Sequence, residues 1–357
     1  MKLVDIYANT MGRRIMHTPG VQSSRVTVGV LLCTVGLAGS AAGKPGTITT
    51  FDVPGAVGTS ASSVDNRGEI AGSWVDSSGI EHGFVRSAAG KFTKFDVAGA
   101  SSTEALSINR DGTVTGTYQN SSGAELGFVR APDGTFATFG VSGYSYSASP
   151  ASINAAGATA GAYQDGVAWS GFVRAADGTI ATFDPSGSMN TAAEGINNKG
   201  VIAGFYADGS NEFHGFERRP GGKITTFDPD GSIDTFAFSI NAIGAIAGRY
   251  ADSQGVNHGF ERAPDGALTS FDAPNGGTGD GQGTVAESIN HDGIIAGIYV
   301  DSGYVEHGFI RDKGGRISSF DPPGSTCTFA ASINASGVIA GSWLDSKGVS
   351  HGFLRGT

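Results

Sequence analysis

Residues 288–321 read SINHDGIIAGIYVDSGYVEHGFIRDKGGRISSFD, and the pattern of this stretch predicts the fold. It contains short apolar segments separated by the turn sequences Asn-His-Asp-Gly, Asp-Ser-Gly and Lys-Gly-Gly. Short segments bounded by Asn, Asp and Gly are typical of antiparallel strands joined by tight hairpins. The stretch therefore predicts one four-stranded antiparallel sheet, whose strands we call A to D.

The same pattern occurs seven times between residues 47 and 357. Four anchors recur in fixed order: Ser-Ile-Asn-x-x-Gly, Ile-Ala-Gly, Gly-Phe-x-Arg and Thr-Phe-Asp, with small variations. A repeat of this length indicates a repeat architecture and overrides the two or three domains that length alone suggests. The anchor phenylalanines are 44 residues apart until the last interval, which is 49: Phe51, Phe95, Phe139, Phe183, Phe227, Phe271 and Phe320.

The phase of the repeat at its two ends predicts a closed ring. Residues 47–52 read as a lone strand D, and residues 352–355 end a strand C that has no strand D after it. An open solenoid has capped terminal repeats, whereas a ring gains from such a clasp because closure removes the sheet edges. We therefore predict an all-β, seven-bladed β-propeller over residues 43–357, with four-stranded antiparallel blades and a ring closed by the N-terminal strand. A β-solenoid and a two-sheet sandwich are the alternatives.

The repeat resembles the HAF-type extracellular repeats of bacteria. The residues that carry the resemblance are Ile-Asn-x-x-Gly-x-Ile-Ala-Gly followed by His-Gly-Phe-x-Arg, over residues 47–357. The HAF pattern has Ala-Phe-x-Trp where this chain has Gly-Phe-x-Arg. The resemblance implies secretion and a propeller-like β fold, and it implies no defined activity.

The N-terminal segment has the features of a secretory signal. Arg13, Arg14 and Arg25 precede the apolar run 26–37, and small residues follow at 38–43. A positive region, a short apolar region and a small-residue cleavage site are typical of a signal peptide, whereas a membrane anchor needs about 20 apolar residues. We expect residues 1–42 to be a signal peptide, so that the mature protein is secreted, extracellular or periplasmic, with no membrane contact after cleavage.

The charge and the cysteine content limit the classes of molecule that the protein could bind and the disulfides that it could form. The net charge is −10, and residues 1–42 carry four of the basic side chains against one acidic side chain, so the remainder is more acidic still. An acidic chain without a Lys/Arg cluster argues against nucleic-acid binding. Of the two cysteines, Cys33 lies in the signal, and Cys327 is left without an intrachain partner. We expect a monomer.

Five of the seven histidines occupy one repeat position, in the sequence His-Gly-Phe: His82, His214, His258, His307 and His351. Equivalent positions on a ring cannot converge on one metal ion away from the axis. We interpret them as buried structural residues that bond to turn groups of their own blade, and we predict no metal and no cofactor. A calcium loop at 228–234 is the alternative metal site, although it lacks the final acidic ligand.

The candidate ligand site comes from positions that break the repeat. In the third blade Gly140 replaces the repeated Asp and Ser170 replaces the repeated His, and the nearby loops carry Tyr144, Tyr146 and Trp169. The sixth blade has five extra residues between Phe271 and Asn290, and this lengthened segment, which we call the insertion, carries Asn275, Asp280 and Gln282. Its Gly276–Gly283 stretch reads as flexible. We expect the D–A and B–C loops to share one face, and these six side chains to bind a ligand there.

Known catalytic motifs are absent from the sequence, and the non-repeated loop positions carry aromatic and amide residues rather than clustered carboxylates. We therefore expect a secreted binding or structural module for a glycan or a protein. The alternative is an extracellular polymer-degrading lyase or hydrolase with a site in the central channel.

Overall fold

The computed structural model describes residues 46–356 except 142–146, 165 and 167. These residues form 28 β-strands and no helix. None of them forms a helix long and apolar enough to cross a membrane. The strands are Ile48–Phe51 (β1), Gly58–Val64 (β2), Ile70–Val75 (β3), Glu81–Arg86 (β4), Phe92–Phe95 (β5), Ser102–Ile108 (β6), Val114–Gln119 (β7), Glu125–Arg130 (β8), Phe136–Phe139 (β9), Ser147–Ile153 (β10), Thr159–Gln164 (β11), Trp169–Arg174 (β12), Ile180–Phe183 (β13), Asn190–Ile196 (β14), Ile202–Ala207 (β15), Phe213–Arg218 (β16), Ile224–Phe227 (β17), Asp234–Ile240 (β18), Ile246–Ala251 (β19), Asn257–Arg262 (β20), Leu268–Phe271 (β21), Gly283–Ile289 (β22), Ile295–Val300 (β23), Glu306–Arg311 (β24), Ile317–Phe320 (β25), Cys327–Ile333 (β26), Ile339–Leu344 (β27) and Ser350–Arg355 (β28).

Each sequence repeat folds into a four-stranded antiparallel unit, as predicted. Units 1 to 6 are β2–β5, β6–β9, β10–β13, β14–β17, β18–β21 and β22–β25. Unit 7 consists of β26, β27 and β28 followed by β1, in which Phe51 pairs with Gly352 and Ile48 with Arg355. The lone N-terminal strand D therefore completes the last unit.

The repeated positions require glycine for two different physical reasons. Gly293, in the A–B turn of unit 6, has φ of +79°, a conformation that only glycine adopts without strain. Gly297 lies inside strand β23, where a Cβ atom would overlap the backbone carbonyl of Val285 and the ring of Phe309. The first glycine makes the turn, and the second lets the neighbouring strand and the core ring approach closely.

The core lies between neighbouring units. The phenylalanine of each Gly-Phe-x-Arg anchor is fully buried and packs against the strand-D phenylalanine of the preceding unit, as Phe309 does on Phe271 at 6.2 Å between ring centroids. The Arg of the same anchor lies over that strand-D ring, as Arg311 does over Phe271 at 4.6 Å. Burial and aromatic contact thus make both repeated Phe positions and the repeated Arg a part of the interface between units.

The inner strands A are linked by two series of side-chain bonds. In the first series, a repeated Ser accepts a hydrogen bond from the backbone of the next unit, as Ser63 Oγ does from Ile108 N at 3.3 Å. In the second series, six repeated Asn side chains donate to the backbone carbonyl of the next unit: Asn109, Asn154, Asn197, Asn241, Asn290 and Asn334.

Units 7 and 1 make the same contacts as units that are consecutive in sequence. Val64 N donates to Ser332 Oγ at 3.3 Å, and Asn334 Nδ2 donates to the carbonyl of Asp65 at 2.9 Å. Arg86 lies 4.7 Å over the ring of Phe51. Hydrogen-bonded residues that are 268 and 269 positions apart are therefore held together by the same interface that the repeat builds elsewhere.

Candidate functional site

The loops between strands B and C and the loops between strands D and A lie on one face, as predicted. In unit 6 the hydroxyl of Tyr304, from the B–C loop, lies 3.3 Å from the carbonyl of Asp280, in the insertion before strand A. Gly281 N of the same insertion donates to Gly255 O, in the B–C loop of unit 5, at 2.8 Å. We call this surface the loop face.

Five repeated histidines lie on the loop face, each between two aspartates of its own unit. The Nδ1 atom lies 2.8–3.0 Å from the aspartate that ends strand D. The Nε2 atom lies 3.4–3.7 Å from the aspartate that begins the B–C loop. Bonding within the unit is as predicted, but full burial is wrong, because the histidine side chains are 18–24% exposed.

Each of these histidine rings also packs on an aromatic residue of strand B. His82 lies on Trp74 and His351 on Trp343, both at 4.5 Å between ring centroids. Tyrosine takes the place of tryptophan in the other three units. The imidazole is therefore fixed by two carboxylates and one ring, which is what a structural role requires.

The described residues contain one group that could hold a metal ion. The ligand atoms of Asp208 and Glu212, in the B–C loop of unit 4, and of His214, on strand β16, lie within 4.8 Å of one another. Partial burial lowers the pKa of His214, but the hydrogen bond that its imidazole donates to Asp228 and the nearby carboxylates outweigh this effect, and the pKa is raised. Two carboxylates of the calcium loop considered at 228–234 already have hydrogen-bond partners. Asp228 contacts His214, and Asp234 accepts the backbone N–H of Phe213 at 2.9 Å.

The histidine–aspartate pair is missing from two neighbouring units. The prediction that Gly140 and Ser170 belong to the same unit is wrong. Gly140 follows β9, which pairs with β8, so Gly140 shares unit 2 with Leu126 rather than unit 3 with Ser170. A Cβ atom on Gly140 would lie 3.1 Å from Leu126 Cδ2. Unit 2 has thus lost both partners of the pair, His and Asp, whereas unit 3 keeps Asp184 and has lost only the histidine.

The structure reports on one of the three aromatic residues predicted for the ligand site. Tyr144 and Tyr146 lie outside the described residues. Trp169 begins β12 at the loop face and is half-buried, and its backbone N–H donates to Asn190 Oδ1 of unit 4 at 3.1 Å. The indole Nε1 is buried without a hydrogen-bond partner among the described residues.

The insertion of unit 6 is an ordered part of the loop face, so the expectation of a flexible segment is wrong. Gln282 is 5% exposed, and its Oε1 accepts the backbone N–H of Gly279 at 2.8 Å. Asn257 Nδ2 of unit 5 donates to Gly281 O at 3.1 Å. Gln282 supports the loop from inside, whereas Asn275 and Asp280 are exposed.

Four phenylalanines outside the repeated positions form a cluster across units 4 and 5, and Trp169 of unit 3 is hydrogen-bonded to β14, which contributes to that cluster. Phe205 and Phe213 of unit 4 pack against Phe236 of unit 5, both at 4.9 Å, and Phe238 lies 6.2 Å from Phe236. Asn190, which bonds to Trp169, precedes Ala192 on β14, and Ala192 packs in the same cluster. We call Trp169, Phe205, Phe213, Phe236 and Phe238 the aromatic band. The sequence does indicate this cluster in one way, because none of the five aromatic residues occupies a repeated phenylalanine position.

Carboxylates were also missed, at the first position of strand C. Glu81 Oε1 accepts from Ser73 Oγ at 2.6 Å, and Glu306 lies 2.9 Å from Cys327 Sγ of the neighbouring unit. Burial raises the pKa of Glu306 and also that of the Cys327 thiol. This position is Glu in three units and differs in the others, so aligning the repeats would have exposed it.

The opposite face carries a cavity of about 240 Å³ where the A–B turns of all units meet. Asn66 Oδ1 and Asn198 Oδ1 accept backbone N–H groups of neighbouring turns at 2.9 Å, so both amides are used in holding the turns together. The residues that follow the repeated Asn, or Asp65, line it: Asn66, Arg110, Ala155, Asn198, Ala242, His291 and Ala335.

Comparison with known proteins shows the fold. No protein-family model and no curated protein matches the chain. A streptogramin B lyase is similar in structure, with a TM-score of 0.57 and 12% identity over 86% of this chain and 97% of that one. Virginiamycin B lyase from Staphylococcus aureus has a TM-score of 0.57 and 11% identity over 87% and 99% of the two chains.

The β-propeller domain of the Trilobed protease from Pyrococcus furiosus is also similar, with a TM-score of 0.55 and 10% identity over 84% of this chain and 95% of that one. At such low identity the likeness concerns the fold alone. Together with the four-stranded antiparallel units, it identifies the chain as an all-β protein with a β-propeller fold.

Proposed function

We propose that this chain is a secreted seven-bladed β-propeller that binds an extracellular glycan or protein through its loop face. The closed ring is supported by the pairing of β1 with β28 and by the contacts of unit 7 with unit 1. Closure leaves only short outer strands as sheet edges, so the scaffold is rigid and its loops are free to bind.

The observation that carries the proposal is the aromatic band. Trp169, Phe213 and Phe238 are only partly buried, and the first two stand at the loop-face ends of their strands. Polar groups accompany them, because Asn190 and Asp234 bond to the backbone at those strand ends. Aromatic surface beside amides and carboxylates suits a ligand with both apolar faces and hydroxyl groups, which favours a glycan. That Tyr144 and Tyr146 also contribute to ligand binding stays a prediction from the sequence.

A binding screen tests this proposal. The full chain is screened against an array of neutral and acidic oligosaccharides, and Trp169→Ala and Phe213→Ala are compared with the parent chain. We expect binding that both substitutions weaken without a matching loss of melting temperature. The matched control is Trp343→Tyr, because tyrosine occupies that strand-B position in other units. Binding to a protein and to no glycan would select the protein alternative, and binding unaffected by either substitution would contradict the site.

The alternative function is a lyase or hydrolase acting on an extracellular polymer. One observation favours it: Glu306 is 8% exposed at the start of β24, and burial raises the pKa of its carboxyl group. A carboxyl group with a raised pKa is suited to act as a general acid. Release of reducing ends or of unsaturated products from a polysaccharide, abolished by Glu306→Gln, would support the enzyme.

Secretion rests on the N-terminal sequence. We propose that residues 1–42 are removed as a signal peptide and that residues 43–357 are the mature, monomeric propeller. Expression of the full chain in a bacterium, followed by mass spectrometry of the exported protein, should give an N-terminus near residue 43. Light scattering should give the mass of one chain.

A further inference from the structure

The most exposed large aromatic side chain among the described residues is Tyr304, in the B–C loop of unit 6. Its side chain is 62% exposed. A tyrosine retained for packing would be buried against neighbours, as Tyr299 is on the adjoining strand at 5% exposure. Tyr304 therefore contributes little to the core and needs another reason for its presence.

The backbone of Tyr304 adopts a conformation that a bulky residue rarely takes. Its φ is +62°, in the left-handed region. The corresponding loop position is glycine in four other units, at 79, 123, 255 and 348, and asparagine in unit 4, where Asn211 has φ of +63°. Glycine adopts this conformation freely and asparagine tolerates it, whereas an aromatic residue is strained there. Residues held in such strained conformations cluster at binding and catalytic sites.

The ring of Tyr304 is held in place beside the insertion that only unit 6 has. Its backbone N–H donates to Asp301 O at 3.0 Å, and its hydroxyl lies 3.3 Å from Asp280 O. The insertion is itself tied down: Gly277 N donates to Val300 O at 2.8 Å, beside the same B–C loop. An aromatic ring fixed before a ligand arrives loses little entropy on binding.

We propose that Tyr304 and the 274–282 insertion form a stacking platform for one sugar ring of a neutral glycan. This inference rests on the proposed glycan-binding function and names a second contact for it, separate from the aromatic band. The exposed face of the tyrosine packs against the C–H face of the sugar, and the exposed polar side chains of Asn275 and Asp280 bond to its hydroxyls.

The charge around the platform selects the class of sugar. Asp280 in the insertion is exposed, Asp301 begins the B–C loop, and Asp272 is exposed at the end of strand D of unit 5. The whole chain carries a charge of −10. A uronic acid or a sulfated sugar would meet like charges here, so the platform takes a neutral sugar.

The experiment uses isothermal titration of the full chain with cellohexaose, mannohexaose, xylohexaose and chitohexaose. Tyr304→Gly introduces the residue that other units have at this position and relieves the strain. We expect it to weaken binding of the recognised hexaose by about tenfold or more, while the melting temperature stays equal or rises. Tyr304→Phe keeps the ring and should bind within about threefold of the parent chain.

Asn211→Gly is the matched control, because it makes the same backbone change in unit 4, and it should leave binding unchanged. Unchanged binding in Tyr304→Gly overturns the platform, and so does a lower melting temperature, which would show that Tyr304 supports the fold. If Trp169→Ala abolishes binding while Tyr304→Gly does not, the proposed function stands and this inference fails. If the parent chain binds none of the four hexaoses, this inference fails, and the oligosaccharide screen decides separately whether the proposed function stands.

Discussion

The Nδ1 atom of His351 lies 3.0 Å from each carboxylate oxygen of Asp52, so the last described strand is bonded to the first. The same His–Asp pair joins strands C and D in four other units, where both residues are 14 positions apart. Here they are 299 positions apart. The repeated pair has thus been divided between the two ends of the propeller.

Deleting residues 47–52 should lower the free energy of unfolding by several kcal/mol. The deletion removes the β1–β28 pairing, the buried ring of Phe51 and the partner of His351, and this exceeds the effect of ordinary point substitutions. Thermal and denaturant unfolding measure the loss. Asp321→Asn serves as the control, because it breaks a half-exposed His–Asp pair within unit 6 and should cost at most about 1 kcal/mol. A deletion variant that melts at the parent temperature would contradict the closed ring.

Asn197→Asp should weaken the series of Asn side-chain bonds between units and destabilise the fold by about 1–3 kcal/mol. Asn197 is 4% exposed, and its Nδ2 donates to Asn241 O at 3.0 Å. Aspartate keeps the acceptor that holds the A–B turn but removes the donor and buries a charge beside a carbonyl. Denaturant unfolding monitored by tryptophan fluorescence gives the difference.

Unit 1 offers the reverse substitution as a control. It already has Asp65 at this position, where the carboxylate accepts from Arg67 and cannot donate to the next unit. Asp65→Asn should supply the missing donor to unit 2, and its stability should equal or exceed that of the parent chain, since Arg67 is half exposed and its ion pair contributes little. Equal unfolding curves for the parent chain and Asn197→Asp would show that the Asn series has no energetic role.

His214 should titrate above its ordinary pKa of 6.5. Because the folded protein raises this pKa, the imidazolium contributes stability that is fully present below about pH 6.5 and is lost as the pH rises through the folded-state pKa. The backbone N–H of Glu212 and other donors lower the pKa of Asp208, so its contribution is present above about pH 3.8 and is lost as the pH falls through its folded-state pKa. Unit 4 is therefore most stable between these limits.

An NMR titration of the imidazole signals tests the shift. Asp228→Asn removes the carboxylate that faces Nδ1 at 2.8 Å, and it should lower the pKa of His214. Asp184→Asn in unit 3, where Ser170 replaces the histidine, is a matched surface change that should leave it unaltered. A His214 pKa below 6.5 in the parent chain would contradict the arrangement.

Arg218→Met should destabilise the interface between units 3 and 4 by about 0.5–2 kcal/mol. The guanidinium of Arg218 lies 4.5 Å from the centre of the Phe183 ring, and burial lowers its pKa. Methionine keeps much of the apolar stem and loses the cation over the ring. Arg110→Met, at a side chain that is 68% exposed, is the control and should unfold like the parent chain. If both variants unfold alike, the repeated Arg contributes packing only.

Most of the scaffold could be predicted because it depends on positions that recur. Turn glycines such as Gly293, core rings such as Phe309 and the divided strand D all follow from local chemistry repeated at a fixed spacing. The histidines were correctly assigned to bonds within their own unit. Their partial exposure was not foreseen, because the partner aspartates lie on the loop face and keep the imidazole near solvent.

The candidate site was less accessible from sequence, because it depends on residues that do not recur. Gly140 was grouped with Ser170 by sequence proximity, although strand pairing places it beside Leu126. The Gly-rich insertion has a composition typical of a mobile loop. Gln282 orders this loop because its side chain is buried, and the neighbouring sequence does not indicate that burial. The backbone strain at Tyr304 could not be predicted from the adjacent residues either. It is evident only when Tyr304 is compared with the glycine that other units have at the same loop position.

The division of one unit between the two ends of the chain has a consequence for biosynthesis. β1 leaves the ribosome about 300 residues before its partner β28, so its backbone hydrogen bonds to β28 stay unmade while six units form, although Phe51 can already pack on Phe84 of unit 1. Units 1 to 6 are local in sequence and can assemble as they emerge, whereas the last step joins distant segments and is slow. The first and last described residues also lie close together, with Gly46 N donating to Gly356 O at 3.3 Å. Joining these two residues and opening the chain between β17 and β18, at the exposed positions 230–231, would place all four strands of every unit in sequence order, and such a permuted chain should complete its last unit without waiting for a distant strand.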